Sequence, residues 1–113
     1  MTTHKFRLND PWFQYMKNGK KIYEGRRSTN RINLIQVGDT IQFSRVLDPT
    51  DYFQVTVSKI LSFQTFRDAL LVLPLEQVLP NIETIDIGVE IYYKYVSLHT
   101  QLKDGVKMFL VTN

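Results

Sequence analysis

Three short segments of the chain alternate hydrophobic and polar residues, which is the pattern of β-strands with one buried face. These segments are His4–Leu8, Thr40–Val46 and Tyr52–Ile60. A turn signal at Gly38 precedes the second segment, and the turn Leu47–Asp51 (LDPTD) separates it from the third. We therefore predict that the second and third strands are neighbours joined as a hairpin.

Two further predicted strands have unusual compositions. Lys20–Arg27 is charged along most of its length, whereas Gly105–Thr112 carries apolar residues on both faces. A strand with two apolar faces has to be covered on both sides, so we expect it to lie inside the fold and to close the sheet. Ser28–Gly38 is polar and is predicted to be a loop.

Apolar residues at helical spacing indicate a first helix shortly after the first strand. Trp12 and Met16 lie on one face of this predicted helix. Asp10 can cap its first turn, and Pro11 suits the first helical position because it lacks an N–H group. Gly19 can adopt the left-handed conformation that ends many helices.

Further helices are predicted in the second half of the chain. Ser62 or Thr65 opens one helix, and Pro74–Leu79 forms a short helical turn. Thr84 caps a helix that runs to about Val96, with its apolar residues on one side.

The predicted order of elements is β-α-β-β-β-α-α-β, with three consecutive strands in the middle. The 113 residues fit one domain that covers residues 1–113. This order does not alternate as a doubly wound sheet does. It predicts an α+β fold: a small curved β-barrel, mostly antiparallel, with flanking helices.

The composition excludes several classes of function. The chain contains no cysteine, so disulfides and thiol catalysis are excluded. It has no N-terminal apolar signal and no apolar run near the roughly 20 residues of a membrane span, so we expect an intracellular protein, cytoplasmic or nuclear, with no membrane partner. His4 and His99 are the only histidines, and no phosphate-binding loop is present. No metal and no cofactor are predicted.

Positive charge is concentrated at the start of the chain. Residues 1–31 contain eight basic and two acidic residues, whereas residues 32–113 contain six basic and nine acidic residues. A localised positive field attracts phosphates, but the same pattern is also typical of a solvated surface.

The segment Gly19–Arg27 (GKKIYEGRR) carries the candidate chemistry. Lys21, Glu24 and Arg26 lie within six residues, and Gly25 permits the close approach of a backbone or ligand. Lysine and arginine can hold a phosphate or a base edge, while a carboxylate pairs with them or accepts from a base amine. The alternative is a surface strand whose Arg–Glu pair contributes little.

Strand geometry leaves the grouping of these side chains open. Alternation places Glu24 and Arg26 on one face of a strand and Lys21 and Arg27 on the other. Lys21 can meet Glu24 only if it lies in the turn before the strand or at a bulge. On the last predicted helix, Tyr93 lies off the apolar stripe and is expected to point away from the core.

The run PWFQYMKNGKKIYEGR, followed by GDTIQF, resembles the ASCH domain, a module of the PUA-like superfamily. The resemblance continues through SFQTFRDALL, VLPNIETID, IYYKYVS and GVKMFLVTN, and so covers nearly the whole chain. It implies a PUA-like β-barrel with a cleft lined by its Lys, Glu and Arg motif. The predicted ligand-binding residues are Lys21, Glu24, Gly25, Arg26, Arg27 and Tyr93.

The resemblance also implies a function. Family members are thought to bind RNA, and some small relatives hydrolyse the acyl amide of modified cytidine with a Lys and a Thr of this strand. Lys21 matches that lysine, but Glu24 stands in the place of the threonine and cannot perform its hydroxyl chemistry. We predict an RNA- or nucleotide-binding module. The alternatives are a metal-independent hydrolase or ribonuclease, with Lys21 and Glu24 as its catalytic residues, and a basic patch that binds an acidic protein.

Overall fold

Five strands and six helices make up the chain, and the computed structural model describes all of it, residues 1–113. The strands are β1 (Thr3–Leu8), β2 (Tyr23–Arg27), β3 (Thr40–Arg45), β4 (Tyr52–Phe63) and β5 (Val106–Thr112). The helices are α1 (Trp12–Lys17), α2 (Asn30–Asn33), α3 (Phe66–Val72), α4 (Leu75–Val78), α5 (Ile85–Tyr93) and α6 (Leu98–Asp104). None of these helices has both the length and the hydrophobicity needed to cross a membrane.

The strands form one mixed sheet in the order β1-β3-β4-β5-β2. The β1–β3 pair is parallel and the other three pairs are antiparallel. The predicted hairpin of β3 and β4 is confirmed, with Phe43 opposite Phe53. The sheet curves into a half-barrel whose free edges are β1 and β2, and the predicted α+β class is confirmed.

Two hydrophobic clusters cover the two faces of β5. Phe109 packs in the cluster that includes Phe13 of α1. Met108 packs in a second cluster with Phe66 of α3 and Val89 of α5. β5 is therefore covered on both sides and lies between β4 and β2, as its two apolar faces predict.

The predicted cap of α1 is wrong. Asp10 makes no capping hydrogen bond, and Pro11 itself occupies the N-cap position. The Asp10 carboxylate accepts from Arg45 at 2.6 and 2.9 Å instead, because a hydrogen bond from a charged donor is stronger than one from a backbone amide. Gly19 does adopt a positive φ of 84° just beyond the helix.

The last predicted helix, from Thr84 to about Val96, corresponds to α5, and α6 lies beyond it in a segment that carries no helix prediction. α5 ends three residues before Val96, and α6 follows after a break. The pattern of hydrophobic residues does not predict α6, because this helix buries Gln101 and exposes Leu98 and Leu102. The buried amide accepts from the backbone N–H of Phe66 and donates to the carbonyl of Val96, which satisfies it.

Two other segments differ from their predictions. The segment predicted as a loop contains α2, in which Thr29 accepts from the amide of Ile32 at 3.2 Å. Ile32 and Ile35 are buried, so tertiary packing stabilises this single turn. β4 continues past Ile60 to Phe63 because its later residues pair with β5.

Candidate ligand-binding cavity

The edge strands β1 and β2 lie on either side of the opening of the half-barrel and do not pair with each other. Side chains link them instead. Arg26 of β2 donates from Nη2 to the carbonyl of Arg7 at 2.9 Å. Arg31, which follows β2 on α2, donates to the carbonyl of Lys5. These guanidinium groups satisfy carbonyls on the free edge of β1 that no strand pairs with.

A cavity of about 590 Å³ lies at this opening, within the size range of small-molecule sites. Most of its charged lining is basic, with one carboxylate among six charged residues: Arg7, Lys21, Glu24, Arg26, Arg27 and Arg31. Five aromatic side chains also line it: Phe6, Trp12, Phe66, Tyr92 and Tyr95. The lining therefore combines an excess of positive charge with flat apolar surfaces.

Lys21 lies in the segment just before β2, so strand alternation does not place it on the face opposite Glu24. Its backbone N–H donates to the carbonyl of Tyr15 at 3.0 Å, while its side chain is almost fully buried. The ammonium donates to the carbonyls of Tyr23 at 2.5 Å and Val78 at 2.6 Å, and Nζ lies 3.5 Å from the Glu24 carboxylate. Lys21 and Glu24 therefore meet.

Burial lowers the pKa of Lys21 because the ammonium loses its hydration. Glu24 opposes this change by stabilising the charged form, and Arg26 adds to it by repulsion. Two backbone carbonyls and one carboxylate match the three donors of the ammonium. The contacts of Lys21 are thus those of a side chain that holds the local backbone and orients Glu24.

Glu24 lies between two cations. Arg26 Nε and Nη2 lie 2.9 and 2.8 Å from Oε2 of Glu24, while Lys21 faces Oε1. The Glu24 side chain is 7 % exposed and that of Arg26 is 28 % exposed, so the pair extends from the interior to the opening. The guanidinium groups of Arg26 and Arg31 lie 4.8 and 4.2 Å from the ring centre of Phe6.

Gly25 allows the helices to pack tightly against β2. A Cβ atom at this position would lie 2.8 Å from the Met108 sulfur, 2.9 Å from the Phe66 ring and 3.0 Å from the Tyr92 hydroxyl. The Phe66 and Tyr92 rings are stacked at 3.9 Å between centroids and are nearly parallel. The missing side chain of Gly25 therefore makes room for this aromatic pair.

The Tyr92 hydroxyl is the one buried side-chain polar atom of the protein that has no hydrogen-bond partner. Tyr92 lines the cavity and is 7 % exposed. Burial raises the pKa of Tyr92, the Glu24 carboxylate raises it further, and Arg26 opposes both. A Cβ atom on Gly25, which lies between Glu24 and Arg26 in the chain, would be 3.0 Å from this hydroxyl.

Five of the six predicted ligand-binding residues border the cavity: Lys21, Glu24, Gly25, Arg26 and Arg27. Tyr93 does not border it and packs, partly buried, against the helical cluster. Its neighbour Tyr92 and the exposed Tyr95 border the cavity in its place. The structure therefore brings Lys21 and four residues of β2 together at the cavity and leaves Tyr93 outside its lining.

Sequence reasoning missed other residues of the cavity. Arg31 belongs to the basic first quarter of the chain, and that charge excess was the available signal. Phe6 and Tyr92 fit the apolar stripes of their elements and so resemble ordinary core residues. Thr100 lies on α6, which the hydrophobic pattern does not reveal.

The two histidines lie in different environments. His4 contacts the Asp39 carboxylate at 2.8 Å, and His99 is exposed. No group of three or more His, Asp or Glu side chains has the arrangement of a metal site.

Comparison with solved structures shows close similarity over the whole chain. The hypothetical protein PH0355 has 26% sequence identity and a TM-score of 0.88, and the alignment covers 97% of both chains. The solution NMR structure of PF0455 from Pyrococcus furiosus has 26% identity and a TM-score of 0.76, over 97% of this chain and 96% of that one.

A more distant structure shares the fold. ZmASCH from Zymomonas mobilis, solved as a tyrosine-to-phenylalanine mutant, has 12% identity and a TM-score of 0.70, over 100% of this chain and 70% of that chain. No protein of curated function is significantly similar to this chain in sequence. The ASCH domain matches residues 7–105, which is most of the sequence. The chain therefore belongs to the ASCH domain family.

Proposed function

We propose that this protein is a small RNA-binding module that accommodates an unpaired nucleotide in the cavity between β1 and β2. The observation that carries the proposal is the lining of that cavity: five basic residues, one carboxylate and five aromatic rings around about 590 Å³. Single-stranded RNA is recognised by stacking on aromatic or guanidinium planes, by hydrogen bonds to base edges and by cations at phosphates.

The phosphates are best matched by the cations at the mouth of the cavity. Arg27 has a 45 % exposed side chain and lies 3.9 Å from Asp104, a long and weak ion pair. Arg7 and Arg31 are exposed, and no carboxylate pairs with either. Their charges therefore remain available to an anionic backbone.

The base is best matched by the interior of the cavity. Glu24 presents a carboxylate that accepts hydrogen bonds from base N–H groups. Tyr95 is 59% exposed and lines the same cavity, so its ring is accessible for stacking. The exposed cations at the mouth, together with a buried carboxylate that is already balanced by Lys21 and Arg26, support a nucleotide bound with its base inward.

A hydrolase that uses the same cavity is the second candidate. The observation that favours it is the lowered pKa of Lys21 beside the Glu24 carboxylate, since a lysine with a lowered pKa can act as a general base. Against it, the Lys21 ammonium is already held by the carbonyls of Tyr23 and Val78. Binding therefore remains the primary proposal.

The proposal is tested by measuring the affinity for a labelled single-stranded RNA oligonucleotide at several salt concentrations. Arg26→Ala and Arg31→Ala are each expected to weaken binding roughly 5- to 100-fold and to reduce the salt dependence. Lys94→Ala is the matched control, because Lys94 is exposed and lies outside the cavity lining. Equal affinity and equal salt dependence in all variants would contradict the proposal.

The same samples separate the alternatives. Wild-type protein that does not retain RNA at low salt, but binds an acidic peptide, would indicate a protein-interaction module. Incubation with acylated cytidine and with single-stranded RNA, with and without chelator, tests for catalysis. Turnover that is lost in Glu24→Gln would favour the hydrolase, because this substitution keeps the shape of the side chain and removes its charge.

A further inference from the structure

We propose that the Tyr92 hydroxyl is a specificity-determining contact that binds the polar edge of an unpaired nucleobase. This inference rests on the proposed function and adds to it a residue, an orientation and a class of recognised group. Its basis is that Tyr92 lines the cavity, is 93% buried, and carries a hydroxyl with no partner in the protein.

A hydroxyl in this position is unfavourable for folding alone. Burying a hydroxyl without a hydrogen bond costs free energy, and phenylalanine would keep the ring without that cost. The stack with Phe66 uses only the ring. A buried, unpartnered polar group on a residue that lines a cavity is explained when a bound molecule supplies the missing hydrogen bond.

The position of the hydroxyl is fixed by its surroundings. Stacking on Phe66 holds the plane of the ring, and the absence of a side chain at Gly25 brings the hydroxyl against β2. Glu24 and Arg26 flank Gly25 in the sequence, and both act on the pKa of Tyr92. Tyr92, Gly25 and Glu24 all line the same cavity, so one ligand can reach both the hydroxyl and the carboxylate.

These two groups differ in their hydrogen-bonding character. The Glu24 carboxylate accepts hydrogen bonds, whereas the Tyr92 hydroxyl can also donate one. A ligand that satisfies both carries an N–H donor beside a carbonyl or ring-nitrogen acceptor. Such an edge belongs to an unpaired nucleobase. A phosphodiester offers only acceptors and has no donor for the Glu24 carboxylate.

The orientation of the ligand follows from this complementarity. The base enters with its pairing edge toward Glu24 and Tyr92, and the phosphate stays at the mouth near Arg27 and Arg31. The pairing edge is accessible only in single-stranded or flipped nucleotides. The protein should therefore prefer single-stranded RNA to a duplex of the same length.

The test compares Tyr92→Phe with the wild type by calorimetric titration of AMP, GMP, CMP, UMP and ribose 5-phosphate. Tyr92→Phe is expected to bind the preferred nucleotide about 5- to 10-fold more weakly, the equivalent of one hydrogen bond, and to bind ribose 5-phosphate unchanged. Tyr52→Phe is the matched control, because Tyr52 is exposed and lies outside the cavity lining. The melting temperature of ligand-free Tyr92→Phe is expected to equal or exceed that of the wild type.

The outcomes distinguish this inference from the proposed function. If the wild type binds a nucleotide and Tyr92→Phe binds it equally well, the inference is overturned while the proposed function stands. If Tyr92→Phe unfolds at a lower temperature, or loses affinity for ribose 5-phosphate to the same extent, the hydroxyl has a structural role and the inference is also overturned. If the wild type binds none of the nucleotides and no RNA, the proposed function itself fails.

Discussion

Charged side chains are buried in two places in this protein, and the two places differ in how completely their hydrogen bonds are satisfied. The turn pair, His4 and Asp39, ties β1 to the turn before β3. Asp39 accepts from the His4 ring at 2.8 Å, from the amide of Gln36 at 3.0 Å and from that of Thr2 at 3.4 Å. The turn pair does not line the cavity between β1 and β2.

The cavity cluster, made of Lys21, Glu24 and Arg26, is equally buried at its centre but borders an open space. Its neighbour Tyr92 keeps an unpartnered hydroxyl. Burial of charge therefore does not by itself distinguish a candidate binding site from a structural hydrogen-bonded pair. The distinguishing features are the adjacent cavity and the unsatisfied group.

The three residues of the cavity cluster also differ from one another in their contacts. Lys21 resembles the turn pair, since it binds two backbone carbonyls and joins β2 to α4. Glu24 and Arg26 extend from this anchor to the opening. We therefore expect Lys21 to act mainly on stability, and the other two mainly on binding.

The largest expected effect is that of Lys21→Met. The substitution keeps most of the volume but leaves the carbonyls of Tyr23 and Val78 without their donor and the Glu24 carboxylate with Arg26 as its remaining cation. Removing one partner of a buried ion pair costs about 3–5 kcal/mol, so the free energy of unfolding should fall by that amount. Urea denaturation followed by Trp12 fluorescence measures the change.

The control for this prediction is the double variant Lys21→Met with Glu24→Gln. It removes the carboxylate charge that has lost its contact with Lys21, and it should recover part of the lost stability. If Lys21→Met were as stable as the wild type and failed only in RNA binding, the division drawn between Lys21 and its neighbours would be wrong.

A smaller effect is expected at the turn pair when the pH is lowered. The hydrogen bond from His4, followed by that from Gln36, lowers the pKa of Asp39 below its unfolded value of about 3.9. Stability from this group is therefore present above that value and is lost as the pH falls through the folded pKa. In the Asp39→Asn variant, the urea concentration at the midpoint of unfolding should fall less steeply than in the wild type as the pH drops below about 4.

Some acid sensitivity should remain in Asp39→Asn. The hydroxyl and the amide of Thr50 also lower the pKa of Asp48. The Asp48 carboxylate therefore still makes stability decrease with falling pH in the same range. An identical acid profile for the wild type and Asp39→Asn would show that the turn pair does not contribute to stability.

The smallest effect is expected for an exposed ion pair, which serves as the reference for both buried clusters. Lys17 and Asp51 are 2.8 Å apart, but their side chains are 45 % and 27 % exposed. Lys17→Met should change the free energy of unfolding by less than about 0.5 kcal/mol, and salt should reduce even this difference. If Lys17→Met lowered the free energy of unfolding as much as Lys21→Met, burial would not explain which of these pairs contributes more to stability.

The sequence by itself determined the elements whose signals are local. Period-two alternation predicted the β3–β4 hairpin, and the two apolar faces of β5 predicted its place inside the sheet. Lys21, Glu24 and Arg26 were grouped because they lie within six residues of one another. Such features depend on neighbours in the chain, and their pattern is visible without the fold.

Only the tertiary structure decided which distant groups complete these features. The acceptor that holds Lys21 at Val78 is 57 residues away, and α6 was hidden because it buries Gln101 and exposes its leucines. Tyr92 has the spacing of a core residue, and only the fold shows that its buried hydroxyl lacks a partner. Hydrophobic periodicity records which face of an element is buried. Whether a buried polar atom is satisfied depends on which other elements pack against it.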